Sequence, residues 1–138
     1  MTTDTDKYLL EILDNYPDFV RSRAKDMGDT TLDLVHMALG IAGESGELVD
    51  AVKKSFAYNK PLDVVNMREE LGDILFYVQG MLNCLGTEFT LADLVALNKK
   101  KLSKRYPVGY SDAAAIARAD KEEPTSSDCE GKEEKNGT

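Results

Sequence analysis

Glu44-Ser45-Gly46-Glu47-Leu48-Val49 and Glu70-Leu71-Gly72-Asp73-Ile74-Leu75 are two copies of one pattern, Glu-x-Gly-acid-aliphatic-aliphatic. In each copy two acids stand three positions apart in otherwise apolar sequence. At that spacing both carboxylates share one face of an α-helix. Two such helices packed together bring four carboxylates into one small volume. Left bare, the cluster repels itself, and burying its charge is expensive. A divalent cation resolves the conflict, and hard oxygen ligands suit Mg²⁺, with Mn²⁺ as a possible substitute. The same two helices therefore decide the fold and the candidate site.

Outward from this pair the chain continues to read as helix. Leu32, Val35, Leu39 and Ala42 form one stripe of a long helix over about 31–56, with Asp29-Thr30-Thr31 supplying its N-cap candidates. Asn59-Lys60-Pro61 breaks the pattern, and the second acidic helix runs from Pro61 or Leu62 to Cys84, ending near Gly86. Upstream, Tyr8, Leu9, Ile12 and Leu13 predict a first helix over 4–15. Pro17 is expected to interrupt it, with a second short helix over 17–27 closing at Gly28. Downstream, Thr90 caps a helix over 91–105, stopped by Tyr106-Pro107 and Gly109, and Ser111 caps a last one over 112–120. Apolar spacings of three and four with short connections predict an all-α antiparallel bundle of four to five helices. Four or five amphipathic helices of this length can close a small bundle, and the repeat-like pair at the centre would also suit a dimer, completing the bundle by oligomerisation.

Composition limits the function classes. At 138 residues and 42% hydrophobic content the chain can bury one core, and no apolar run is long enough to span a membrane. A net charge of −8 argues against general affinity for nucleic-acid backbones, while a small metal-bound triphosphate needs only a local basic patch. Cys84 and Cys129 lie in unlike contexts and form neither a disulfide framework nor a zinc pattern, as expected of a cytoplasmic protein. The expected domain is 1–121, and the polar, aliphatic-poor stretch 122–138 reads as a disordered acidic tail.

Asn98, Lys99, Lys100, Lys101, Lys104 and Arg105 give the fourth main helix a basic end. Lys101 and Arg105 share a face, as do Asn98 and Lys101, and facing the acids they could hold the outer phosphates of a triphosphate. The competing reading is a solvated helix end matched to the helix dipole. Lys99 and Lys100 fit that second reading better. His36, the only histidine, lies on roughly the same side as Glu44 and is a candidate for a base or phosphate contact, or a packed helical histidine. Asp50 extends the Glu44 and Glu47 face as a supporting group or as surface.

Taken in order, these elements resemble the MazG-like all-α nucleoside triphosphate pyrophosphatases. The resemblance rests on Glu44-x-x-Glu47, then Glu70-x-x-Asp73, then Asn98-x-x-Lys101-Leu102-x-x-Arg105-Tyr106-Pro107-x-Gly109-Tyr110-Ser111, and covers about 16–121. It implies a helical bundle working as a dimer or tetramer with Mg²⁺. It also implies hydrolysis of a nucleotide between its α and β phosphates, as in nucleotide-pool control or housecleaning. Carried over, Glu44, Glu47, Glu70 and Asp73 would be metal ligands and catalytic acids, and Lys101, Arg105 and Asn98 phosphate-binding. Several relatives select deoxynucleotides with tryptophans, which this chain lacks, so any stacking falls to Tyr16, Phe19, Tyr77 or His36.

Three other readings compete. A di-iron carboxylate bundle needs repeated Glu-x-x-His motifs, and Asp33-x-x-His36 is a single partial match. A non-catalytic helical oligomerisation or binding protein is opposed by the presence of all four acids and both cations. A related phosphoribosyl-ATP pyrophosphatase shares fold group and chemistry, but no feature of this chain points to that larger substrate.

Overall fold

The computed structural model describes residues 3–86 and 89–121, which form five helices and, among the described residues, no strand beyond an isolated bridge between Pro107 and Gly109. The helices are α1 (Asp4–Arg21), α2 (Thr30–Tyr58), α3 (Val64–Cys84), α4 (Leu91–Arg105) and α5 (Asp112–Ala117). Side-chain caps set most of the starts. Thr3 and Asp6 form a capping box on α1, Asp29 accepts from Thr31 and Leu32, Asp63 accepts from Asn66, and Ser111 accepts from Ala114. At α4 the Thr90 hydroxyl and Asp93 carboxylate make the same reciprocal exchange. Asn59 ends α2 in the left-handed region at φ 51°.

The expected break at Pro17 does not occur. α1 runs through it to Arg21, and no separate helix covers 17–27. A proline inside a helix forfeits one backbone hydrogen bond, and here neighbouring contacts support the helix through that point. Asn83 of α3 donates to the Pro17 carbonyl at 2.9 Å, and Val20 one turn on is fully buried. Asn83 in turn accepts from Gln79, whose side chain is only 1% exposed, so the buried amides of this contact are partnered. α5 is shorter than expected because Arg118 adopts φ 48° and closes it.

The chain divides into two compact units, Met1–Leu94 and Val95–Thr138. In the first, α2 and α3 make the principal helix pair and α1 packs on α3. Two glycines explain how closely the pair approaches: a Cβ on Gly40 would lie 2.2 Å from the Tyr77 ring, and one on Gly80 2.3 Å from Met37 Sδ. These contacts also fix direction. Moving up α2 from Met37 to Gly40 moves down α3 from Gly80 to Tyr77, so the pair is antiparallel. Among the described residues the buried apolar side chains are Val20, Met37 and Ala51, and Leu39, Val49, Leu71 and Leu75 remain exposed. In the second unit, α4 leads through the turn at Gly109 into α5. No helix among the described residues is long and apolar enough to cross a membrane. The acidic tail expected over 122–138, with Cys129, lies outside the described residues.

Candidate metal centre

The antiparallel register carries the acids into one place. One turn beyond the Gly40–Tyr77 contact, Glu44 of α2 comes level with Asp73 of α3, and Glu47 comes level with Glu70. Carboxylate oxygens of Glu44, Glu47 and Glu70 lie within 4.8 Å of one another. Glu70 is 7% exposed, Glu44 half-buried and Glu47 exposed, so the cluster has a buried floor and an open mouth. Desolvation, reinforced by the Glu47 charge and a hydrogen bond with Glu44, pushes the Glu70 carboxyl above its ordinary range.

Asp73, the fourth acid expected here, lies outside the three-carboxylate cluster. It is exposed, yet its charge reaches Glu70, and it also helps burial to push the Tyr16 hydroxyl up. Asp73 therefore lies near the cluster without joining it, within electrostatic reach of Tyr16 on α1. Tyr16 stacks on Phe19 with ring centroids 6.1 Å apart.

His36 is not part of the cluster. Its ring meets Tyr77 edge-on at 6.2 Å, and its Nδ1 is buried without a hydrogen-bond partner. Asp50 is engaged by Lys53 and Lys54 at 3.3 and 2.8 Å, which hold its carboxyl below the usual range and make it a surface ion-pair centre. Among the glycines of the motif, a Cβ on Gly43, Gly46 or Gly72 would meet nothing within 4 Å. Helix contact thus accounts for Gly40 and Gly80, while these three border open space. A cavity of about 330 Å³ lined by Arg21, Thr30, Asp33, Asn83 and Cys84 contains none of Glu44, Glu47, Glu70 and Asp73.

In the second unit, Asn98 borders an open groove of about 410 Å³ together with Lys99, Leu102 and Tyr106. Lys101 is exposed on α4. Arg105 makes a two-point ion pair with Asp120, Nε to Oδ1 at 2.5 Å and Nη2 to Oδ2 at 2.6 Å. Sequence reading missed Asp120, since no helical spacing links it to Arg105 across the turn and α5.

Three oxygen donors from two helices, one of them buried beside like charges, fit a hard divalent cation. The family model of the MazG nucleotide pyrophosphohydrolase domain matches residues 32–110, more than half of the chain and inclusive of both acidic pairs and the basic helix. The chain belongs to the MazG family. At family level it is a nucleotide pyrophosphohydrolase of a generally divalent-metal-dependent group. Comparison with curated proteins and with solved structures gives no significant match.

Proposed function

We propose that this chain hydrolyses ribo- or deoxynucleoside triphosphates to the monophosphate and pyrophosphate, with Mg²⁺ as cofactor and Mn²⁺ as a substitute. The observation that carries the reading is the convergence of Glu44, Glu47 and Glu70 within 4.8 Å in a chain of this family. These three would hold the cation, and Asp73, level with Glu44 along the helix pair, would complete the acidic set. A bound cation supplies charge neutralisation on the phosphates and lowers the barrier to attack at phosphorus.

The chain's own groups account for the rest. A carboxylate at the cluster's open mouth accepts a proton from the attacking water. The new water oxygen–α-phosphorus bond forms as the bond to the α–β bridging oxygen breaks, and pyrophosphate leaves. Lys101 and Arg105, with Asn98, bind the phosphates and offset charge on the leaving group. His36 and the aromatic residues Tyr16 and Tyr77 are the candidates for contact with the base. In this reading the enzyme is a cytoplasmic homodimer or homotetramer acting on nucleotide pools. The exposed Leu39, Val49, Leu71 and Leu75 support assembly, because apolar surface of this kind marks interaction sites.

Phosphorus NMR of a panel of NTPs and dNTPs turned over with Mg²⁺ in ¹⁸O-water tests the reaction. Monophosphate and pyrophosphate are expected, with the label on the monophosphate. Diphosphate plus inorganic phosphate would overturn the assigned bond.

A further inference from the structure

Asp120 has no place in the sequence pattern, yet its side chain is only 1% exposed and both of its oxygens are taken by Arg105. The guanidinium holds this carboxyl down to about 2. Arg105 keeps 17% of its side-chain surface exposed and stands beside the Tyr106 ring, with 5.9 Å from its guanidinium carbon to the ring centroid and a further interaction with the Tyr106 hydroxyl. The direction of engagement matters. A guanidinium is a planar fork with donors on three nitrogens. Asp120 occupies the Nε–Nη2 edge, and Nη1 takes no part in the pair. The Nη1–Nη2 edge therefore points away from Asp120, and that edge matches two phosphate oxygens as well as it matches a carboxylate.

Fixing the fork in advance has a consequence for binding. A free arginine loses rotamer freedom when it grips an anion, whereas one already held by a buried carboxylate has lost that freedom on folding. Lys101 stands one turn earlier on the same helix face, a second cation on that side of α4.

We propose that Asp120 is a positioning residue: it clamps Arg105 by one edge of the guanidinium so that the other edge is a preset donor to the substrate's phosphates. The proposal rests on the pyrophosphohydrolase reading above. It differs in sign from the simpler view that Asp120 only fastens the segment after α5. Removing one negative charge beside an anion site should, for a mere fastener, leave triphosphate binding unchanged or tighten it. For a positioning residue, binding weakens.

The test compares wild type with Asp120→Asn and Arg105→Lys, measuring calorimetric affinity for inorganic tripolyphosphate, KM and kcat for the preferred triphosphate, and the melting temperature. Arg105→Lys retains the positive charge opposite Asp120 but lacks the second edge, and Asp120→Glu, which keeps the ion pair but shifts the fork by a methylene, tests the positioning where Asp120→Asn fails to fold. Each folded variant is expected to bind tripolyphosphate about tenfold more weakly, the scale of one charge-assisted hydrogen bond, with KM rising more than kcat falls. Asp120→Asn added to Arg105→Ala should weaken binding no further. Wild-type turnover with affinity unchanged or tighter in the folded variants would overturn the positioning role alone. Absence of turnover in wild type would overturn the enzymatic reading and this inference with it.

Discussion

Glu70 is the residue on which the acidic site turns. Its folded carboxyl titrates above the ordinary value of 4.5 because burial and the neighbouring Glu47 and Glu44 disfavour its charge. Ionising it therefore works against the fold as pH rises from that ordinary value through the raised one. Glu70→Gln should raise the melting temperature of the metal-free protein at neutral pH while abolishing the further rise that Mn²⁺ gives wild type; thermal scans with and without Mn²⁺ check both. Asp120 has the opposite sign. Its folded value of about 2 lies below the ordinary 3.8, so its contribution is complete above about pH 3.8 and is lost as pH falls through about 2. Hydrogen exchange over residues 106–121 should show protection falling through that window in wild type, and no such step in Asp120→Asn. The two carboxylates also differ in how they could be found. The i, i+3 spacing of Glu70 and Asp73 exposes their shared face to a reader of sequence. Asp120 finds Arg105 only through a turn and the left-handed closure of α5 at Arg118, which no periodicity encodes.

At the scale of elements, α2 and α3 were legible almost to their ends, because apolar stripes, Asp29 and the Asn59–Pro61 break all act locally. α1 was not. Local rules end a helix at Pro17, whereas tertiary contacts from Asn83 and the burial of Val20 carry it on to Arg21. Asn83→Ala, which removes that donor, should cost about 1–2 kcal/mol, seen as a lower denaturation midpoint with the helical signal retained. The helix pair is less forgiving. Gly40→Ala places a methyl 2.2 Å from the Tyr77 ring carbons, so the helices must separate or Tyr77 must turn. Loss of about 1–3 kcal/mol is expected, together with weaker Mn²⁺ binding by electron paramagnetic resonance, since Glu44 lies one turn on. Unchanged Mn²⁺ affinity in the folded variant would show that the acids tolerate a wider helix gap.

For the whole molecule, the proposed assembly rests on the exposed Leu39, Val49, Leu71 and Leu75. Leu71→Glu with Leu75→Glu should shift a dimer or tetramer to monomer by light scattering at micromolar concentration; a wild type that is monomeric throughout would contradict the proposed homo-oligomer. The family assignment joins the acidic pair of helices to the basic helix through one match over residues 32–110. Its chemical content depends on whether the acids work as a set. The deciding measurement is Mg²⁺-dependent release of pyrophosphate from a nucleoside triphosphate panel by wild type and Glu47→Gln in parallel. Monophosphate plus pyrophosphate is expected from wild type only with the metal, with a loss of roughly a hundredfold or more in the folded variant. Equal turnover by both proteins, or none by wild type with any nucleotide, would contradict it.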